Sequence, residues 1–271
     1  NKFIKAAIAK GASLVFCDNS EEIGDKSTVY FIENLKAQLA DIVKTIYVKT
    51  PKELYAVTGT NGKSSIIDLI RQSKLLLNEN ITTIGTLGVY KNNELIENLV
   101  NTTPDICKFF QILNENSDDS FAFEASSHGL EQERFAKLKL DTAIFTNLTR
   151  DHLDYHANMT DYFAAKLKLF TRHLKKEGFA IINADDDYGA QIISICKAKQ
   201  LKFFTYGKKA HDLKLISQNN ELFTLKYQNQ LYEFNTSLIG EFQIYNIMAV
   251  ISLLLLKNIP MNNIIGIVEK F

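Results

Sequence analysis

The stretch Leu54–Leu76, LYAVTGTNGKSSIIDLIRQSKLL, decides the fold. LYAVTG reads as a buried strand, Gly59–Ser65 as a loop built of glycines and hydroxyl residues, and IIDLIRQSKLL has the apolar spacing of a helix. A phosphate loop requires this strand–loop–helix order. Glycines let backbone N–H groups close on phosphate oxygens, and the helix start adds the positive end of its dipole. Lys63 can reach the β and γ phosphates, and the Ser64 hydroxyl can ligate Mg²⁺. ATP is therefore the expected ligand, held by Gly59, Thr60, Asn61, Gly62, Lys63, Ser64 and Ser65. The spacing departs from the common G-x-x-x-x-G-K-[ST], because Val57 stands where its first glycine would be. The plain alternative, a glycine-rich turn that only caps a helix, accounts less well for the strand before the loop and the Lys-Ser pair within it.

Outward from that stretch, apolar strands alternate with amphipathic helices. The strand candidates are LYAVTG, ITTIGT, FAFEAS, TAIFTN, FAIINAD and KFFTYG. Helix candidates lie at Gly62–Leu77, Pro104–Leu113, Thr160–Leu174 and Asp186–Ala198. Such alternation predicts an α/β fold, a mostly parallel sheet with helices on both faces. LKLISQNNELFTLKYQNQLYEFNTSL, with its polar Asn and Gln turns, predicts a small antiparallel meander added to the sheet, and EFQIYNIMAVISLLLLKN predicts a closing helix with an apolar face. Before Pro51 the pattern is shorter: an amphipathic FIKAAIAKGA, a strand-like SLVFCD and a helix-like FIENLKAQLADIV, too little for a sizeable core of its own.

Composition bounds the function classes. With 271 residues, 46% hydrophobic and 23% charged, the chain holds material for one large domain or two smaller ones. Lys+Arg 31 against Asp+Glu 31 leaves no net charge, so a general polyanion-binding role has no support and no nucleic-acid partner is expected. Cys17, Cys107 and Cys196 are far apart and form no CxxC pair, which points to a reducing, cytoplasmic setting rather than a disulfide framework. The apolar stretch Ile251–Leu256 is far short of the roughly 20 residues that span a bilayer, so no membrane partner is expected either.

TGTNGKSS resembles the shortened phosphate loop of the Mur ligase and folylpolyglutamate synthetase superfamily. Further segments match that superfamily in the same order: NTTPD (101–105), EASSHGLEQER (124–134), FTNLTRDHLDYH (145–156), AAKLKLF (164–170), INADDD (182–187) and LIGEFQIYN (238–246). SSHGL and DHLDYH are similar to the UDP-N-acetylmuramoyl-tripeptide synthetase branch. The resemblance implies an ATP- and Mg²⁺-dependent ligase that activates UDP-N-acetylmuramoyl-L-alanyl-D-glutamate as an acyl phosphate and joins it to a diamino acid, with diaminopimelate placed ahead of lysine, acting as a monomer. It implies a central ATP-binding domain over 49–271, preceded in 1–48 by the C-terminal part of a UDP-substrate-binding domain. The C-terminal ligase domain, which carries the choice of amino acid, is expected to be absent.

Residue roles follow from the same resemblance. Glu124, at the end of FAFEAS, matches a Mg²⁺-binding glutamate, and His152 matches a histidine at the second Mg²⁺, an unusual ligand for so hard a cation. Lys166 matches a lysine that is carbamylated and then helps hold Mg²⁺. By spacing alone, Phe163 and Phe170 put its amine on an apolar helix face, which lowers an amine pKa, or leaves a lysine that snorkels to solvent. Lys63, Glu124, His152 and Lys166 are thus the catalytic candidates, and Ser64, Glu124, His152 and carbamylated Lys166 the metal candidates. Asn101, Thr102, Thr103, Ser126, Gln132 and Arg134 match substrate-contacting positions, Arg134 being suited to a two-pronged grip on a carboxylate. Thr103 and Pro104 also read as the cap and first residue of a helix. Asn246 matches an adenine-binding position, with Gln243 in place of the usual Asn three residues earlier.

Three rival readings stay open. A folylpolyglutamate synthetase-like ligase is disfavoured by SSHGLEQER and DHLDYH. The chain can instead be a piece that binds ATP without ligating. A zinc hydrolase built on His152 and His156, with Asp151 and Asp154 beside them, leaves the phosphate loop unexplained.

Overall fold

The computed structural model describes residues 3–18, 28–117, 119–151, 155–219 and 221–271. Contacts divide the chain into two units, 1–48 and 49–271. The first holds α1 (Ile4–Ala9), β1 (Val15–Cys17), β2 (Val29–Phe31) and α2 (Leu35–Ile46), with β1 and β2 paired in parallel.

The second unit is one sheet and its helices. In chain order it comprises β3 (Glu53–Thr58), α3 (Lys63–Leu76), β4 (Ile81–Gly85), β5 (Gly88–Lys91), β6 (Glu94–Glu97), α4 (Ile106–Glu115), β7 (Ser120–Glu124), α5 (Ser127–Glu131) and β8 (Leu140–Phe145). There follow α6 (Met159–Lys168), a π-helical turn (Leu169–His173), β9 (Leu174–Asn183), α7 (Asp187–Ala198), β10 (Lys202–Gly207), β11 (Leu213–Asn219), β12 (Leu222–Tyr227), β13 (Gln230–Asn235), α8 (Glu241–Leu256) and α9 (Met261–Val268). The strand order is β13-β12-β11-β10-β9-β8-β3-β7-β4-β5-β6. From β11 to β4 every pairing is parallel, and the outer pairs at both ends are antiparallel.

The parallel core follows from side-chain alternation. Tyr55 and Val57 of β3 and Ala122 of β7 join Ile66 and Ile70 of α3 and Ile247 and Ile251 of α8 in one apolar cluster. The opposite face of β7 carries Phe121 and Phe123, which meet Phe109 of α4 edge-on at 6.2 and 4.9 Å between ring centres. α8 is buried almost all round, from Asn246 to Leu254, because it packs on α3, α9 and the sheet.

The expected α/β architecture and the meander at β11–β13 are both present. Other elements differ from the expectation. A second antiparallel hairpin, β5–β6, extends the other edge. α4 begins at Ile106 and is capped by Asp105, whose Oδ1 accepts the N–H groups of Cys107 and Lys108 at 3.0 and 3.1 Å; Thr103 does not cap it, and Pro104 lies outside the helix. A single carboxylate oxygen at the cap position takes both N–H groups, while the Thr103 hydroxyl is engaged with the Glu124 carbonyl. The helix expected to run from Thr160 to Leu174 turns π-helical at Leu169 and passes straight into β9.

β3 sits where the connections reverse: the chain moves from β3 to β4, returns to β7, then crosses to β8. Ligands of open α/β sheets bind at the carboxyl ends of strands at such a reversal. There β3 opens into the phosphate loop, β7 ends at Glu124, and β8 leads into Thr146 and Asn147.

Candidate active site

The loop between β3 and α3 is stitched to the end of β8. Thr60 N–H donates to the Asn147 carbonyl at 2.8 Å and Asn61 N–H to Asn147 Oδ1 at 3.0 Å, while Thr146 Oγ1 donates to the Asn61 carbonyl at 2.6 Å. Two glycines make this closeness possible. A Cβ on Gly59 would stand 1.9 Å from Thr146 Oγ1. Gly62 has φ +87°, and a Cβ there would stand 2.5 Å from Asn246 Oδ1. Gly62 is the N-cap of the 14-residue α3 and offers no side-chain acceptor, which leaves the first-turn N–H groups and the positive dipole end to an anion.

Two lysines converge beneath the loop. Lys63 Nζ donates to the carbonyls of Gly59 at 3.0 Å and Thr60 at 2.7 Å. Lys166 Nζ, from α6, donates to the same Gly59 carbonyl at 2.9 Å and lies 4.6 Å from the centre of the Tyr162 ring. Lys166 is 1% exposed. Burial, and then the charge of Lys63, push its pKa well below the usual lysine range, with Asp151 acting in the opposite sense. Lys63 is lowered too by burial, against the pull of Glu124 and Asp151.

Glu124 is 1% exposed. Its Oε1 accepts the Thr86 N–H at 2.7 Å, and its Oε2 lies 3.3 Å from Thr86 Oγ1. A Cβ on Gly85 would come within 2.2 Å of Oε1, so glycine is needed for the carboxylate to reach this position. Glu124 shares a cavity of ≈ 370 Å³ with Thr60–Ser64, Thr86, Asn101–Thr103, Ser126–His128, Arg134 and Lys166. The structure thus brings together most of the phosphate, metal and substrate candidates. Gln132 stands behind that wall: its Oε1 accepts Arg134 Nε and Nη2 at 3.0 and 2.7 Å, and its Nε2 donates to Tyr155 Oη at 3.1 Å. Arg134 also donates through Nη1 to the Thr103 carbonyl. Three of its five N–H donors are therefore engaged within the protein, and the edge suited to clasping a carboxylate is turned onto Gln132.

A second cavity, ≈ 780 Å³, adjoins the loop. It is lined by Asn61, Gly62, Ser65, Thr146, Asn147, Asn183, Asp185, Asp186, Tyr206, Glu241, Phe242, Tyr245 and Asn246. Asn246 donates through Nδ2 to Gln243 Oε1 at 3.0 Å, so the glutamine that stands in for asparagine fixes its amide. Asp185 accepts Tyr245 O–H and the N–H groups of Lys208 and Lys209, each at 2.6 Å, which anchors the cavity's far wall. Asn183, Asp185, Phe242 and Tyr245 lay inside the quoted motifs without an assigned role. Their common signal is position at or just after the carboxyl end of β9 or in the first two turns of α8.

His152 and Asp154 lie outside the described residues. His156 is buried, with Nδ1 3.6 Å from Glu131 Oε2 and its ring 5.0 Å from that of Tyr162. Among the described residues no three His, Cys, Asp or Glu side chains gather as a metal site, and no helix is long and apolar enough to cross a membrane.

Fold and site together define a phosphate-loop protein of the α/β class in which the loop faces a buried glutamate and two lysines. The sequence pattern of the Mur ligase middle domain matches residues 57–254, and the chain belongs to the Mur ligase family. It is 40% identical over 268 residues to the UDP-N-acetylmuramoyl-L-alanyl-D-glutamate--2,6-diaminopimelate ligase of Rickettsia montanensis, an alignment that takes in 93% of this chain and 55% of that protein. The ligase of the same name from Zymomonas mobilis is 35% identical, covering 93% and 53%. A solved structure of a ligase of that name superposes with a TM-score of 0.84 at 28% identity, over 100% of this chain and 57% of the other. The MurF ligase of Thermotoga maritima, solved in complex with ADP, shares the fold at a TM-score of 0.66 and 13% identity, covering 98% and 59%. The chain thus spans about half the length of the curated relatives it matches.

Proposed function

We propose that this chain is the ATP-binding core of an amide ligase of peptidoglycan-precursor synthesis, which joins diaminopimelate to UDP-N-acetylmuramoyl-L-alanyl-D-glutamate. The observation that carries this reading is the single cavity in which phosphate-loop residues, Glu124, Lys166, Arg134 and the hydroxyls of Thr102, Thr103 and Ser126 meet. The names of the relatives supply the substrate.

A carboxylate is a poor electrophile at neutral pH. In this reading a glutamyl carboxylate oxygen attacks the γ-phosphorus of ATP and ADP leaves; the amino group of the diamino acid then attacks the acyl carbon and phosphate leaves. The loop N–H groups and Lys63 hold the phosphates, and the catalysis is mainly positioning and charge neutralisation. The donors suit Mg²⁺: the buried Glu124 carboxylate receives hydrogen bonds only from Thr86 among the described residues, and the Ser64 hydroxyl lines the same cavity. Mg²⁺ held there would neutralise charge on the transferring phosphoryl group, with His152 as a further ligand implied by the resemblance. Lys166 contributes once carbamylated: its neutral amine adds to CO₂ and releases a proton, and the resulting carboxylate joins the oxygen donors. Asn246 and the walls of the larger cavity receive the adenine. Residues 1–48 are the end of a UDP-substrate-binding domain.

The test is phosphate release by this chain with Mg-ATP and UDP-N-acetylmuramoyl-L-alanyl-D-glutamate, with diaminopimelate and lysine supplied separately. Release that depends on diaminopimelate supports the full reading. Release absent while Mg-ATP still binds assigns this stretch the nucleotide-binding part alone, and no ATP binding would refute the proposal.

A further inference from the structure

The hydroxyls of Thr86, Thr102, Thr103 and Ser126 form two short chains that both end on Glu124, and the direction of each O–H follows from the acceptors at the ends. A carboxylate and a carbonyl only accept. Thr86 Oγ1 lies 3.3 Å from Glu124 Oε2 and 3.1 Å from Thr102 Oγ1. The bond to the charged oxygen is the stronger of the two, so the single Thr86 proton goes to Glu124, and the Thr102 proton must turn toward Thr86. In the second chain Thr103 Oγ1 donates to the Glu124 backbone carbonyl at 2.7 Å and accepts the Ser126 N–H at 3.2 Å. Ser126 Oγ, 3.0 Å from Thr103 Oγ1, accordingly donates to it, while accepting the Gly129 N–H at 3.0 Å.

We infer that Glu124 polarises this wall of the cavity through Thr86 and Thr103, so that Thr102 and Ser126 offer lone pairs to a ligand and read an N–H donor rather than an oxygen anion. Thr86 is the positioning residue for Thr102, and Gly85 permits it by leaving the carboxylate room to reach the Thr86 N–H. Lys63 and Arg134, in the same cavity, carry the N–H donors suited to anionic oxygens. The inference rests on the ligase reading and deepens it: the N–H in question is the alanyl–glutamyl peptide N–H beside the carboxylate to be activated.

The experiment is equilibrium binding by calorimetry, without ATP or metal, so that it does not depend on turnover. The two ligands are UDP-N-acetylmuramoyl-L-alanyl-D-glutamate and its depsipeptide analogue, in which an ester oxygen replaces that N–H. Wild type is expected to bind the ester on the order of tenfold more weakly, the worth of one such hydrogen bond. Thr86→Val frees the Thr102 proton to donate to the ester oxygen, and the ratio falls toward one; Thr86→Ser restores it. A purely structural role for Thr86 would weaken both ligands alike and leave the ratio unchanged. Equal binding of the two ligands by wild type, or a ratio unmoved in Thr86→Val, overturns this inference alone. Failure of wild type to bind the parent dipeptide overturns the substrate reading and the inference with it.

Discussion

Replacing Lys166 with Met is expected to stabilise the fold while removing the proposed ligase activity. The amine is 1% exposed, rests over the Tyr162 ring and shares the Gly59 carbonyl with Lys63. Removing it leaves that carbonyl bonded to Lys63, so no acceptor is orphaned, and a thioether of similar length fills the apolar space. Exchanging a buried ionisable amine whose charged form is poorly compensated for an apolar chain is worth about 1–4 kcal/mol. For a unit of this size that is a rise of roughly 2–15 °C in melting temperature. The folded-state pKa of Lys166 lies below its unfolded value, so the unfolded chain holds more protons, and wild-type stability rises with pH toward the ordinary lysine range. The gain from Lys166→Met should therefore be largest near neutral pH and shrink toward pH ~10. Thermal melts in CO₂-free buffer across this range provide the assay. A melting point that falls in the variant, or a gain that does not change with pH, would refute the argument.

Other expectations follow from the same geometry. Lys63→Ala should abolish Mg-ATP binding in a titration while shifting the melting point by only a few degrees, because the loop backbone, and not the amine, joins β3 to α3. Gly59→Ala forces a Cβ to within 1.9 Å of Thr146 Oγ1 and should destabilise by about 1–3 kcal/mol in denaturant unfolding, with loss of ATP affinity; a neutral substitution would mean the loop is not tied to β8 as described. His173 is buried, which pushes its pKa down to about 4, against the bond its Nδ1 makes with the Leu138 carbonyl at 3.2 Å. The unfolded chain takes up a proton near pH 6.5 that the folded chain refuses until about 4, so stability is lost as pH falls between these values, by at most about 3 kcal/mol. His173→Gln should flatten the unfolding free energy over that interval.

The central parallel strands β3, β7 and β8 were legible because they are buried on both faces and so read as continuous apolar runs. The β5–β6 hairpin was not: GVYK and ELIE are short, and β6 lies at the sheet's edge with Leu95 and Ile96 exposed, so neither strand shows the run or the alternation that marks a buried one. α9, MNNIIGIV, hides its buried Ile264, Ile267 and Val268 among asparagines and a glycine. The phosphate loop was legible as chemistry in fixed spacing. The burial of Lys166 could be inferred from Phe163 and Phe170, but its nearness to Lys63 joins residues 103 positions apart and depends on α6 crossing the end of β3. Thr86 gave no signal, since a threonine after a strand is common, and only the sheet order sets it against Glu124. The reading of Thr103 as a helix cap failed for a related reason: its proton is taken by the Glu124 carbonyl, a contact between elements that local spacing cannot reveal.

The shared Gly59 carbonyl couples the two lysines electrostatically. Both cannot remain charged 2.9 and 3.0 Å from a single acceptor without mutual repulsion, and the deeper amine yields first. A neutral amine is the form that adds CO₂; a protonated one cannot. Burial alone lowers Lys63, and a carboxylate on Lys166, as proposed above, would add to the pull of Glu124 and Asp151 that helps Lys63 keep its proton. In the proposed ligase this order of burial would sort two chemically identical side chains into two roles, one that gives up its proton to become an anion and one that keeps it to bind one. Such sorting by environment is how a site runs opposed chemistry with like groups, and here it comes from the depth of α6 relative to the start of α3.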